Sequence, residues 1–294
     1  MLLHVAVDDF VVSLAHGEVD RSSGSRNTMM AYRNDLGQLC NYMAALGITD
    51  WLHVTRDQLD DYIREMREGH VYRPTTIARK LAAVKSFFRY MYQKKILACD
   101  PSVGLALPSF ERDLPQVLNP EAIYNLFLRI EVDTPIGIRD LAMIKLLYAT
   151  GIRTSELVSL DIEHFQAANA NLQCVSARGN IRRERSLPLT SVAVDAMDNY
   201  MLHGRPRLTR YPGEQALFLN HHGERLTRQG FWLIIKGYAR LAGINDLTPH
   251  RLRHSFAILM LSSGMDLASV QELLGHAHIS TTQLYCQLVE DEST

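Results

Sequence analysis

Lysine is scarce in this 294-residue chain: Lys80, Lys85, Lys94, Lys95, Lys145 and Lys236 are the six present, and none lies between Lys145 and Lys236. The remaining 25 of the 31 basic residues are arginine. Arginine's planar fork suits phosphate and guanine edges, although GC-rich coding would leave the same bias. A net charge is also missing. The formal value is -1, so any contact with nucleic acid must come from local clusters of cations. Four cysteines, Cys40, Cys99, Cys174 and Cys286, are scattered without a C-x-x-C pair. That argues against a zinc site or a disulfide framework and suits a reducing compartment. No apolar run approaches the ~20 residues of a membrane span. The opening "MLLHVAVDDFVV" lacks the basic segment of a secretory signal and carries two aspartates. A cytoplasmic protein with no membrane partner is expected. The sequence shows neither an acidic cluster for Mg²⁺ nor a glycine-rich phosphate loop, so no metal and no cofactor are expected either.

What is present reads as a mainly α chain in two domains, the second carrying a small antiparallel β-sheet. Residues 1–107 read as a helical domain. "TRDQLDDYIREMREG" offers Thr55 as an N-cap. "RPTTIARKLAAVKSFFRYMYQKK" turns Ile77, Leu81, Val84, Phe87, Phe88 and Met91 inward, with Arg79, Lys80, Lys85 and Arg89 on the other face. Prolines 101, 108, 115 and 120 punctuate the next stretch. Residues 108–118 read as a linker and 119–294 as a mixed α/β domain. There "NLQCVSA" and "RRERSLPL" flank Gly179-Asn180 as a hairpin, and "ALFLN" reads as a further strand. Thr227, Thr248-Pro249, Asp266 and Ser280 mark helix starts.

Five residues are plain when taken alone and informative together. In "TPHRLRHSFAILML", His250 and Arg253 share a helix face close to its N-terminus, a good place for phosphate, while Leu252, Phe256 and Leu259 form the opposite face. His250 and His254 have the spacing of a metal pair, but the intervening acid of H-E-x-x-H is absent. In "ATGIRTSELVSLDIEHF", Arg153 is held at a helix junction, with Glu156 close behind to complete a cap. In "VQELLGHAHISTTQLYCQ", His276 follows a glycine stop and Tyr285 lies on the next short helix. Two arginines, histidines and a tyrosine suit metal-free phosphoryl transfer. Guanidiniums neutralise the charge of the transition state, and a tyrosine hydroxyl can attack as a covalent nucleophile.

These motifs, in this order and spacing, resemble the tyrosine recombinases, in particular the compact Xer-type enzymes. The front half is similar to their core-binding domain in "TMMAYRNDLGQL" and "TIARKLAAVKSFFRYM". The resemblance implies a two-domain clamp on double-stranded DNA with paired half-sites. A dimer would bind each site and a tetramer would form the synapse, as copies of this chain or with a related recombinase. It implies that Arg153 is the first phosphate-binding arginine, that His250 and Arg253 are the catalytic H-x-x-R pair, and that His276 is the histidine of the L-G-H motif. Tyr285 would attack to form a 3′-phosphotyrosyl bond, and strand exchange would proceed through a Holliday junction. Glu156 would support the site without reacting. Where the family places a proton-donating lysine on the hairpin, this chain reads "ARGNIRRER", so Arg178 takes that place. A pKa of roughly 12 or more makes arginine a poor proton donor. Arg182, Arg183 and Arg185 stay open between backbone contacts and a solvated hairpin. The absence of the arm-binding domain of phage integrases favours simple-site reactions, such as resolving replicon or transposon-cointegrate dimers. A DNA-binding accessory protein with impaired catalysis and a type IB topoisomerase-like activity are the alternatives.

Overall fold

The computed structural model describes residues 2–16, 26–69, 72–106, 117–178, 181–276, 279, 282, 283, 285 and 286, with the backbone alone for Arg26 and for residues 176–178 and 181–183. They fall into two compact units. The first contains four helices: α1 (Leu3–Ala15), α2 (Arg26–Ala45), α3 (Arg56–Glu68) and α4 (Pro74–Gln93). Thr55 caps α3 as expected. Its hydroxyl accepts from the Gln58 N–H, and the Gln58 side chain accepts from the Thr55 N–H at 2.9 Å. Pro74 opens α4, where a missing N–H costs nothing. The core is aromatic: Trp51 packs edge-on against Phe87 and Phe88, and Phe10 against Phe87. The indole N–H of Trp51 donates to the Leu3 carbonyl at 2.9 Å.

The exposed cationic face expected on α4 is only partly there. Arg79 and Arg89 are exposed, but Lys80 is 2% exposed. Its ammonium lies 3.3 Å from the Asp35 carboxylate, donates to Gln38 and sits over the Tyr72 ring. A buried charge is tolerable only when paired in this way. Lys85 caps the Leu105 carbonyl at 2.7 Å.

The second unit begins by Leu118, which is buried and donates its N–H to Ser255 Oγ at 3.0 Å. Residues 108–116 of the expected linker lie outside the described residues. The order is α5 (Pro120–Leu128), α6 (Pro135–Thr150), α7 (Thr154–Ser159), β1 (Phe165–Gln166), β2 (Asn171–Arg178), β3 (Ile181–Pro188), α8 (Ser191–Asn199), a wide turn at Tyr200–Gly204, α9 (Arg205–Leu208), α10 (Arg228–Leu241), α11 (Pro249–Ser262) and α12 (Leu267–Leu274). The sheet runs β1-β2-β3, with Phe165 opposite Leu172. "ALFLN" is not a strand. It makes isolated bridges, Asp161 to Ala216 and Leu219 to Arg225, while its side chains fill the core. Thr227, Thr248 and Asp266 cap α10, α11 and α12 with their side chains, and the expected start at Ser280 lies outside the described residues. Along α11, Leu252 and Phe256 are buried but Leu259 is exposed, because Ala257 and Ile258 turn inward instead. No described helix is long and apolar enough to cross a membrane.

Gly151 ends α6 at φ 58°. A Cβ there would lie 2.4 Å from the Phe256 ring and 2.8 Å from Leu274. Glycine therefore lets the end of α6 meet α11 and α12 closely, and the candidate site forms at this convergence.

Candidate active site

Arg153 occupies the N-cap position of α7. Glu156 reaches back, accepting from the Arg153 N–H at 2.9 Å and from its Nη1 at 2.9 Å. The other amino group of Arg153 donates to the Gly275 carbonyl. Arg253, one turn into α11, is 5% exposed and donates to the carbonyls of Gly151 and, at 2.6 Å, Leu274. The sheet supplies a third cation, Arg185 on β3. It donates from both amino groups to the two Glu156 oxygens at 2.9 and 2.7 Å, and from Nε to the Leu273 carbonyl at 3.0 Å.

His276 follows the left-handed Gly275 and is fixed through Nδ1, 3.0 Å from the buried Thr282 hydroxyl. Its ring stacks on Tyr285, with centroids 6.4 Å apart. Tyr285 is 2% exposed, and its oxygen lies 2.6 Å from Nδ1 of His254. The nearest described histidine to the phenol is thus His254, considered from sequence only as half of a metal pair. His250, on the surface at the start of α11, has its ring 6.4 Å from that of His254. Arg153, Arg253, His276 and Tyr285 are drawn together, with His250 at the margin. The side chain of Arg178 lies outside the described residues, as do those of Arg182 and Arg183.

Charge is arranged consistently. Burial works against ionisation of Glu156, but hydrogen bonds and charge from Arg185, then from Arg153, hold its carboxyl down at about 2. Burial, then the Arg153 charge, lowers Arg253 to about 10, which leaves it protonated near neutrality. Burial lowers His254 to about 4, helped by His250 and Arg253, and lowers His276 to about 4, helped by Arg253 and Arg153. Partial loss of water and the Arg253 charge lower His250 as well. Burial raises Tyr285, with Arg253 opposing. Near pH 7 the site therefore holds three guanidiniums and one carboxylate among neutral rings. That is a cationic recess suited to a phosphodiester.

Sequence reading left Arg185 undecided and passed over His254 as a partner of Tyr285. The signal for Arg185 was strand alternation. Arg185 shares parity with Leu187, which is fully buried, so both side chains point inward.

The phage integrase family model matches residues 116–292, and the model of the phage integrase N-terminal SAM-like domain matches residues 19–95. The tyrosine recombinase XerC of Roseiflexus castenholzii is 44% identical over 277 residues, covering 93% of this chain and 87% of that protein. The tyrosine recombinase XerD of Listeria monocytogenes is 39% identical over 289 residues, covering 97% of this chain and 95% of the relative. Among solved structures, the XerH site-specific recombinase bound to palindromic difH substrate in a post-cleavage complex shares the fold. Its TM-score is 0.72 at 20% identity, covering 99% of this chain and 93% of that one.

Proposed function

The chain belongs to the phage integrase family, and we propose that this tyrosine site-specific recombinase resolves replicon or cointegrate dimers in the cytoplasm by a Tyr285-centred exchange. The observation that carries the reading is the meeting of Arg153, Arg253, His276 and Tyr285 from four separate chain segments around one cationic recess. In this reading the scissile phosphate lies against Arg153 and Arg253, whose free N–H groups neutralise its non-bridging oxygens. Tyr285 leaves His254, gives its proton to a neutral histidine, and attacks phosphorus. The O–P bond forms as the P–O5′ bond breaks, and the 5′-oxygen takes up a proton. The product is a 3′-phosphotyrosyl bond that conserves the energy of the phosphodiester, so no nucleotide is consumed. Attack by the 5′-hydroxyl of the partner strand reverses the chemistry. Arg178, carried by the hairpin, binds the leaving oxygen electrostatically. Residues 1–107 serve as the core-binding domain and 119–294 as the catalytic domain. A dimer occupies each pair of half-sites and a tetramer forms the synapse.

The test begins with selection of bound DNA from a random pool, which should return two inverted half-sites around a short spacer. Two copies of that sequence, placed as direct repeats on a supercoiled plasmid, should yield two circles and a Holliday-junction intermediate. Relaxation that ignores the sites would instead indicate a topoisomerase. Binding without strand chemistry would indicate an accessory protein.

A further inference from the structure

The carbonyls of Leu273, Leu274 and Gly275, at the C-terminal end of α12, each accept from a different guanidinium: Arg185 Nε at 3.0 Å, Arg253 Nη2 at 2.6 Å, and Arg153 Nη2. A helix C-terminus leaves its last carbonyls unpaired and carries partial negative charge, so cations belong there. Two of the three arginines are those assigned above to the phosphate. The third is placed differently. Arg185's side chain is 11% exposed, and all three of its nitrogens are engaged within the protein, on both Glu156 oxygens and on Leu273. Glu156 in turn holds the backbone and side chain of Arg153. Gly275 is pressed against the same pair: a Cβ on it would lie 3.0 Å from Arg153 and 3.1 Å from Arg185.

We propose that Arg185 is a positioning residue for strand cleavage, fixing Glu156 and the end of α12 so that Arg153 and His276 face the scissile phosphate together. The inference rests on the recombinase reading. The role needs arginine, because a single ammonium cannot serve two carboxylate oxygens and a carbonyl lying in one fork. The groups facing Glu156 are Arg153 from the α7 cap, Arg185 from β3 and the Cys174 thiol from β2, with the Arg253 charge from α11. With Arg185 gone, the carboxylate keeps one close cation and burial then favours its protonated form.

Arg185→Gln, Arg185→Lys and the double variant Arg185→Gln/Glu156→Gln of the full chain would be compared with the unsubstituted protein on a nicked suicide substrate. Folding is checked by thermal unfolding, and duplex affinity by titration. Affinity should stay within about 3-fold, since the Arg185 side chain is 11% exposed and each of its nitrogens is already turned to Glu156 or Leu273. Single-turnover cleavage by Arg185→Gln should fall ~100-fold, the scale of a misplaced catalytic group. Arg185→Lys should recover little of it. Cleavage by Arg185→Gln should also weaken further as pH drops, because Glu156 then takes up a proton, and this acid limb should be absent from the double variant. Unchanged cleavage would overturn the proposal. So would a loss matched by affinity, or a loss with the original pH profile in every folded variant. Should Arg185→Gln fail to fold, Arg185→Lys decides alone: cleavage near the original rate overturns the proposal. If the unsubstituted protein forms no adduct on any selected duplex, the recombinase reading fails first.

Discussion

The phenolic oxygen of Tyr285 lies 2.6 Å from Nδ1 of His254, inside a pocket that leaves the tyrosine 2% exposed. His254 is neutral at working pH because burial, His250 and Arg253 lower it to about 4. In the tautomer that carries its proton on Nε2, the ring accepts the hydrogen of the phenol; in the other, Nδ1 donates to the phenolic oxygen. Removing either partner strands a buried polar group, whereas removing both does not. The double-mutant cycle of His254→Ala with Tyr285→Phe should therefore show coupling of about 0.5–1.5 kcal/mol in urea unfolding. Strictly additive effects would place the two side chains apart in solution.

The site also predicts how stability depends on pH. The folded protein protonates His254 and His276 only near 4, against an ordinary value of 6.5. Between those values the unfolded chain binds more protons, so stability must fall as pH drops from 6.5 toward 4. Glu156 extends the decline. Its carboxyl is held at about 2 against an ordinary 4.5, so its stabilisation is lost as pH falls through that lower window. Urea midpoints measured across this range should fall steadily, and His254→Gln/His276→Gln should flatten the upper part of the curve.

Gly275→Ala is expected to damage cleavage more than folding. The backbone there has φ 64°, and an added methyl would crowd Arg153 and Arg185. Strain at positive φ costs about 1 kcal/mol. Displacing Arg153 should cost about 100-fold in cleavage rate. Gly264→Ala is the control: its φ is 89°, but a Cβ would meet nothing within 4 Å. It should lose stability and keep its rate.

Arg178 sets a separate expectation. If an arginine serves where the leaving 5′-oxygen needs a proton, that step is slow. A bridging 5′-sulfur substrate, whose leaving group needs no proton, should then be cleaved much faster than normal DNA. Arg178→Lys should narrow the gap. Equal rates on both substrates would assign protonation to another group.

Much of this was legible in the chain because the signals are local. Caps at Thr55, Thr227, Thr248 and Asp266 depend on neighbours a few residues away. Motif order singles out Arg153, Arg253, His276 and Tyr285 as candidates, and the structure brings their side chains near one another. What sequence obscured depends on distant partners. Lys80 reads as a surface cation until Asp35, on another helix, is seen to neutralise it. "ALFLN" has strand composition, but makes single bridges while its side chains fill the core. Arg185 looks like one more hairpin cation until β3 alternation turns it toward Glu156.

The most direct measurement is the mass of the protein–DNA adduct trapped on a nicked suicide substrate, with the modified peptide mapped by fragmentation. A 3′-phosphoryl nucleotide on Tyr285, absent in Tyr285→Phe and formed in the presence of a metal chelator, is the predicted result. An adduct on a different residue, or none from a protein that binds the duplex, would contradict the account.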